Sequence, residues 1–326
     1  MAAVPTTTPT TAPLRSGRRR IGDRVGDGAL RTITALAALA VVVLLGAIVY
    51  KILHLAHSAW STYGLHFVTA KTWDPVHKAF GALPFIYGTA ISSLIALLIS
   101  APLAIGIALY LTELAPKGVR GVVGSLIEML AAIPSVVLGL WGILVLGPFL
   151  ANHLEPWLHR KLGFIGIFGA PEATGTGLFT AGLILTIMVV PIVASICREL
   201  FMQVPADLEE GALALGTTRW EMIRGVTLPA TRSGIAAALI LGLGRALGEA
   251  IAVTQVIGGG TRITNNVFGP GDTLASKIAA SYQGAASSLE QSSLLYLGAL
   301  LLIIGLVVNL VAQVIVRRFD PLREAR

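Results

Sequence analysis

Six long apolar stretches alternate with shorter polar ones along this chain. They run from about Leu30 to Leu53, Phe85 to Leu111, Val119 to Leu150, Leu178 to Leu200, Gly234 to Ile257 and Leu294 to Val316. A helix needs about 20 mostly apolar residues to cross a bilayer, and each stretch meets that length. The pattern therefore predicts an all-α polytopic membrane protein with six transmembrane helices occupying residues 30–326, behind a tail at 1–29. Pro102, Pro134 and Pro191 fall inside runs two, three and four. In a membrane such prolines are tolerated as kinks, because neighbouring groups satisfy the carbonyls they free. Gly, Ala and Ser recur in runs two to five, which lets helices approach closely.

The polar segment 205–229, PADLEEGALALGTTRWEMIRGVTLP, carries its own helix punctuation. Asp207 with Glu210, and Thr218 with Glu221, each read as a capping box. Gly216 stands between them, so the expected form is a helix from about Leu208 to Leu215, a glycine C-cap, and a second helix that Pro229 closes. Leu208, Ala212 and Leu215 give the first helix an apolar face, and Trp220, Ile223 and Val226 give the second one. Helix-turn-helix elbows also bind DNA, but one set between membrane runs is better suited to docking a membrane-side protein.

Composition and charge set the orientation. The chain is 55% hydrophobic and 13% charged, with a mean hydropathy of +0.79 and a net charge of +7. With the N-terminus inside, the segments on the cytoplasmic side hold sixteen of the 24 Lys and Arg. The positive-inside rule then puts both termini and the 205–229 loop in the cytoplasm, and leaves nucleic acid unnecessary as a reason for the charge. Residues 1–29 begin with a Thr, Pro and Ala tract followed by SGRRR, which suggests a disordered basic cytoplasmic tail. The first apolar run is too long for a cleaved signal peptide, so a retained anchor is expected. Cys197 is the single cysteine and matches no metal-ligand spacing, and His54 with His57 lack a third ligand nearby. No metal or cofactor is expected.

Three charges stand well inside the runs, away from their ends. Arg245 is about 17 Å along the fifth run from its cytoplasmic end, near the bilayer midplane. Glu249 follows four residues later, so in a continuous helix both share one face and can pair. An isolated charge at the centre of a span costs roughly 2.5–3.5 kcal/mol, which makes the two a functional candidate; the plain alternative is an ion pair that only fixes packing. Gly242, Gly244 and Gly248 surround them and offer either close helix approach or room for water and a ligand. Glu128, about two turns into the third run, is either a cavity-lining or gating group or an acid that snorkels to the boundary. The loop 258–293 opens with three glycines and reads as a flexible docking surface. No GxxxxGK[ST], HExxH or GxSxG motif occurs, so the chain is not expected to be an enzyme, and a transport machine of this kind would draw its energy from another chain.

The stretch EGALALGTTRWEMIRGVTLP resembles the EAA loop of ABC-importer permeases, with Glu210, Ala212, Gly216, Leu228 and Pro229 in register; Gly211 replaces an alanine and Val226 an isoleucine. The resemblance implies a type I, MetI-like permease fold whose elbow docks into an ATPase subunit. IEMLAAIPSVVLGLWGILVLGP and LGLGRALGEAIAVTQVIGG are similar to phosphate-specific permeases of the PstC type. That likeness implies a partner permease of the PstA type, two ATP-binding subunits and an extracytoplasmic phosphate-binding protein. The expected function is inward passage of inorganic phosphate across the cell membrane, with Arg245, Glu249 and Glu128 on the substrate path. A molybdate or sulfate permease shares the loop, and a secondary carrier or channel is the reading the loop disfavours.

Overall fold

A computed structural model describes residues 21–318, and among them the chain is helical apart from loops and two isolated β-bridges. The main helices are α1 (Ile21–Leu55), α2 (Leu83–Leu114), α3 (Lys117–Ala131), α4 (Ser135–Leu162), α5 (Leu178–Met202), α6 (Ala206–Ala214), α7 (Arg219–Gly248), α8 (Ile251–Val256), α9 (Leu274–Ser281) and α10 (Ser288–Arg318), with two short helices, His57–Tyr63 and His66–Thr69, ahead of α2. Six of these, α1, α2, α4, α5, α7 and α10, are long and apolar enough to cross a membrane. The first twenty residues of the expected tail lie outside the described residues, and α1 already occupies the rest of it.

The chain divides into two compact units, Met1–Lys51 and Ile52–Arg326. In the first, every side chain described from Gly26 to Tyr50 is exposed, although the sequence there is almost wholly apolar. In the second, α5 is the central column. Ile184, Leu185, Val189, Val193 and Cys197 are fully or nearly fully buried against α2 and α7. Glycines set how close the columns come. A Cβ on Gly242 of α7 would lie 2.7 Å from Val189 and 2.9 Å from Val193, and one on Gly182 of α5 would lie 2.6 Å from Ile95 of α2. On α4, Gly139 and Gly142 give the same access to Ala252 and Val256 of α8.

Three expectations need correction. The third span begins at Ser135, not Val119. Pro134 has φ −58° and ψ 137°, so the helix stops at Ala131 and restarts beyond it. A proline lacks the amide hydrogen and biases its predecessor away from the helical region. At Pro102 and Pro191, by contrast, the helices run through. Glu128 therefore sits on α3, outside the span. Second, the fifth run is broken at Glu249, which is extended (φ −70°, ψ 120°) between α7 and α8. Third, much of the loop 258–293 is packed: Phe268, Leu274 and Ser276 are fully buried, and the Asp272 carbonyl comes so close to Gly88 of α2 that no side chain fits there.

Candidate functional site

The elbow is built almost wholly from local bonds. At the end of α6 the Gly216 N–H donates to the Leu213 carbonyl (3.0 Å) and the Thr217 N–H to Ala212 (3.4 Å), the paired bonds of a Schellman cap. Thr217 Oγ1 adds a further bond to Ala212 (2.8 Å). Gly216 has φ +86°, the left-handed region that glycine enters without penalty. At the start of α7 the Thr218 N–H donates to Glu221 Oε2 (2.8 Å), and the Glu221 N–H donates back to Thr218 Oγ1 (3.3 Å). This is the second predicted capping box. The first is absent: α6 begins after Pro205 with no side-chain cap, and Glu210 is exposed.

Pro229 does not end the second helix. A π-turn at Ile223–Thr227 leads into Leu228–Gly248, with Pro229 in the first turn of that segment, where a missing amide hydrogen is tolerated. The wider turn changes the bonding frame just ahead of the proline. Leu228 packs onto the core, and Met222, Ile223 and Thr227 are buried beneath the elbow. Thr227 Oγ1 donates to Glu209 Oε1 (3.0 Å), and Arg219 donates to the Glu113 carbonyl (2.9 Å) at the end of α2. Glu209 was not anticipated as a structural partner. Facing away from the bundle, Leu208, Leu215 and Trp220 are exposed by 53%, 87% and 63%. The apolar residues of the elbow thus divide, some seating it on its own chain and the others left free.

At the other end of α7, Arg245 lies in the last helical turn and Glu249 just past the end. They do not pair. Because the helix stops at Gly248, the spacing that would have stacked them is lost, and each charge meets a helix end suited to it. The Arg245 cation is placed where the α7 carbonyls end, and Glu249 Oε1 accepts the Ala252 N–H of α8 (3.3 Å). Both still line one open groove of about 550 Å³, with Gly244 and Gly248, Ile192 of α5 and Asn309 of α10. Arg245 is exposed in it, and among the described residues it has no ion pair. The glycines have separate uses: Gly242 admits α5, while Gly244 and Gly248 have nothing within 4 Å and leave the groove open. Asn309 was missed by sequence reasoning. An amide in a long apolar run, with a second at Gln313 four residues on, was its only signal.

Glu128 is elsewhere. Arg198 Nη2 of α5 donates to its Oε1 at 3.2 Å, beside the elbow end of the bundle, and Gly124 leaves room for the guanidinium. The groove therefore unites Arg245 and Glu249 and does not include Glu128.

Residues 102–323 match the family described as binding-protein-dependent transport system inner membrane component. The chain is 42% identical over 298 residues to a phosphate transport system permease protein PstC of Mesorhizobium japonicum, covering 90% of this chain and 91% of that one. It is 40% identical over 306 residues to the PstC of Pasteurella multocida (92% and 95% covered). Among solved structures, a chain of a bacterial alginate ABC transporter, in complex with an alginate pentasaccharide-bound periplasmic protein, superposes with a TM-score of 0.63 at 23% identity, covering 93% of this chain and 99% of that one.

Proposed function

Since this chain belongs to the binding-protein-dependent inner-membrane transport components, and within them to the PstC phosphate permeases, we propose that its groove and its elbow are the anion path and the energy coupling of a phosphate importer. The chain is a multi-pass inner-membrane permease subunit of a phosphate ABC importer.

Our reading assigns Arg245 to the anion. The observation that carries it is a guanidinium exposed in an open groove of α7, with no carboxylate paired to it among the described residues. A phosphate leaving water needs its hydration replaced, and a guanidinium offers charge and a fork of donors matched to phosphate oxygens. Glu249, held back by Ala252, supplies a nearby counter-charge that keeps binding weak enough for release. Glu128 with Arg198 then forms a gate at the inner end. Leu208, Leu215 and Trp220 on the elbow dock an ATP-binding subunit, which hydrolyses the nucleotide. A PstA-type permease, two ATP-binding subunits and an extracytoplasmic phosphate-binding protein complete the assembly.

The test is uptake of radiolabelled phosphate in cells lacking other phosphate importers, with the assembled complex quantified in parallel. Arg245→Gln is expected to abolish uptake and Arg245→Lys to retain little. Arg245→Gln combined with Glu249→Gln is expected to stay inactive, whereas recovery of the double variant would return the two residues to a packing role.

A further inference from the structure

A second cavity, of about 390 Å³, adjoins the Arg245 groove and shares Ile240, Leu241 and Asn309 with it. The wall is aliphatic except at a few points. In the first cavity these are Arg245, Glu249 and Asn309; in the second they are Asn309 and Gln313. Asn309 and Gln313 stand four residues apart on α10, so they share a face and are separated by about 6 Å along it. Both are exposed. Opposite them α7 steps back from Arg245 through Leu241 and Ile240 to Ala237, towards the elbow. The two helices run in opposite senses, so Gln313 lies nearer the elbow end than Asn309 does.

We propose that Asn309 and Gln313 are the hydrogen-bonding steps by which the phosphate anion travels from Arg245 to the inner mouth of the path. The proposal rests on the assignment of Arg245 to the anion. Phosphate leaving a guanidinium must find donors, or it returns to the charge it left. A second cation would hold it, and a carboxylate would repel it. A primary amide gives two N–H donors and no net charge, so it replaces part of the hydration shell without creating a trap. Two amides one turn apart give successive weak sites, which favours passage over retention.

The experiment exploits the cysteine content of the chain. Cys197 is the only cysteine and is fully buried, so cysteines placed at 309 and 313 report on their own positions. In inside-out vesicles carrying the assembled importer, Asn309→Cys and Gln313→Cys are expected to react with a membrane-impermeant anionic methanethiosulfonate, and inorganic phosphate should slow both reactions. Reaction with a lipid-soluble maleimide alone would place both residues against lipid or another helix, and would overturn the proposal. In uptake assays, Asn309→Asp should lower the maximal rate about tenfold or more while leaving the KM for external phosphate little changed, because like charge now faces the leaving anion. Loss of uptake in Arg245→Gln with normal rates in Asn309→Asp and Gln313→Glu would overturn the amide steps and leave the Arg245 assignment standing. Normal uptake in Arg245→Gln would overturn both.

Discussion

At the elbow end of α7 the backbone is held by bonds that close within a few residues, whereas past the Arg245 end the bond from the Ala252 N–H to Glu249 Oε1 is joined by packing against distant segments. The Schellman cap at Gly216 and the capping box of Thr218 and Glu221 satisfy the helix termini locally. Past Gly248 the chain leaves the helix, and what fixes its course is contact with distant segments, with Gly139 and Gly142 of α4 admitting α8. One end is a bracket closed by its own local bonds. The other is a mouth whose shape depends on its neighbours.

The glycines of α7 give the sharpest way to break this contrast. Gly242→Val would drive two methyl groups into Val189 and Val193, and overpacking of this kind costs about 1–3 kcal/mol or more. The expected result is a large fall in assembled complex, measured by the yield of monodisperse protein in detergent. Gly244→Val, with nothing within 4 Å, should assemble normally and still lose uptake by narrowing the groove. Equal yields from the two variants would erase the distinction between the packed and the open face.

Gly216→Val tests the bracket. A β-branched residue at φ +86° carries strain of about 1–3 kcal/mol, which the short elbow cannot relieve without reshaping. Stimulation of the partner ATPase and phosphate uptake should fall together while membrane insertion stays normal. Smaller in size, Gly211→Ala should stabilise α6 by about 1 kcal/mol, because the site is helical and empty around its missing Cβ. A raised melting temperature with unchanged uptake is expected, and a lowered one would show that Gly211 serves contact with another chain.

The smallest effect concerns Asp272, which belongs to the distant loop that packs on α2. Burial pushes its carboxyl above the ordinary aspartate value, against the opposing pull of the Ser276 hydroxyl, the Lys277 charge and the Gly260 amide. Ser276 Oγ donates to Asp272 Oδ1 at 3.0 Å. The folded loop thus keeps a proton that the unfolded loop has already lost, so its contribution to stability is full at acid pH and declines as pH rises through the raised value. Hydrogen exchange of residues 258–287 should show protection falling from acid towards neutral pH, and Asp272→Asn should flatten that dependence.

Much of this was legible before the structure, and the residues show why. The six spans follow from length and hydropathy, which lipid imposes on any crossing helix. Gly216 and the Thr218 box were readable because caps are local chemistry. The interruptions were harder. Pro134 ends a helix while Pro102 and Pro191 do not, and nothing within a few residues of each separates the cases. The break at Glu249 had a faint signal in Gly242, Gly244 and Gly248, since each glycine weakens a helix by about 1 kcal/mol relative to alanine. The pairing open to Arg245 and Glu249 assumed a continuous helix, and the extended backbone at Glu249 removes that spacing. Asn309 entered the groove through tertiary packing, which periodicity does not encode.

The π-turn at Ile223–Thr227 gives the helix above it a phase. A π-turn holds one residue more than an α-turn in the same length, and one residue corresponds to about 100° of rotation about the axis. Everything beyond it, including Gly242 and Arg245, is therefore dialled by roughly a quarter turn relative to the elbow. Deleting a single residue there would leave composition, hydropathy and length almost untouched, yet it would swing the guanidinium off the groove and present a different face of α7 to α5. The azimuth of Arg245 is thus set about twenty residues away, by a turn that lies outside the groove.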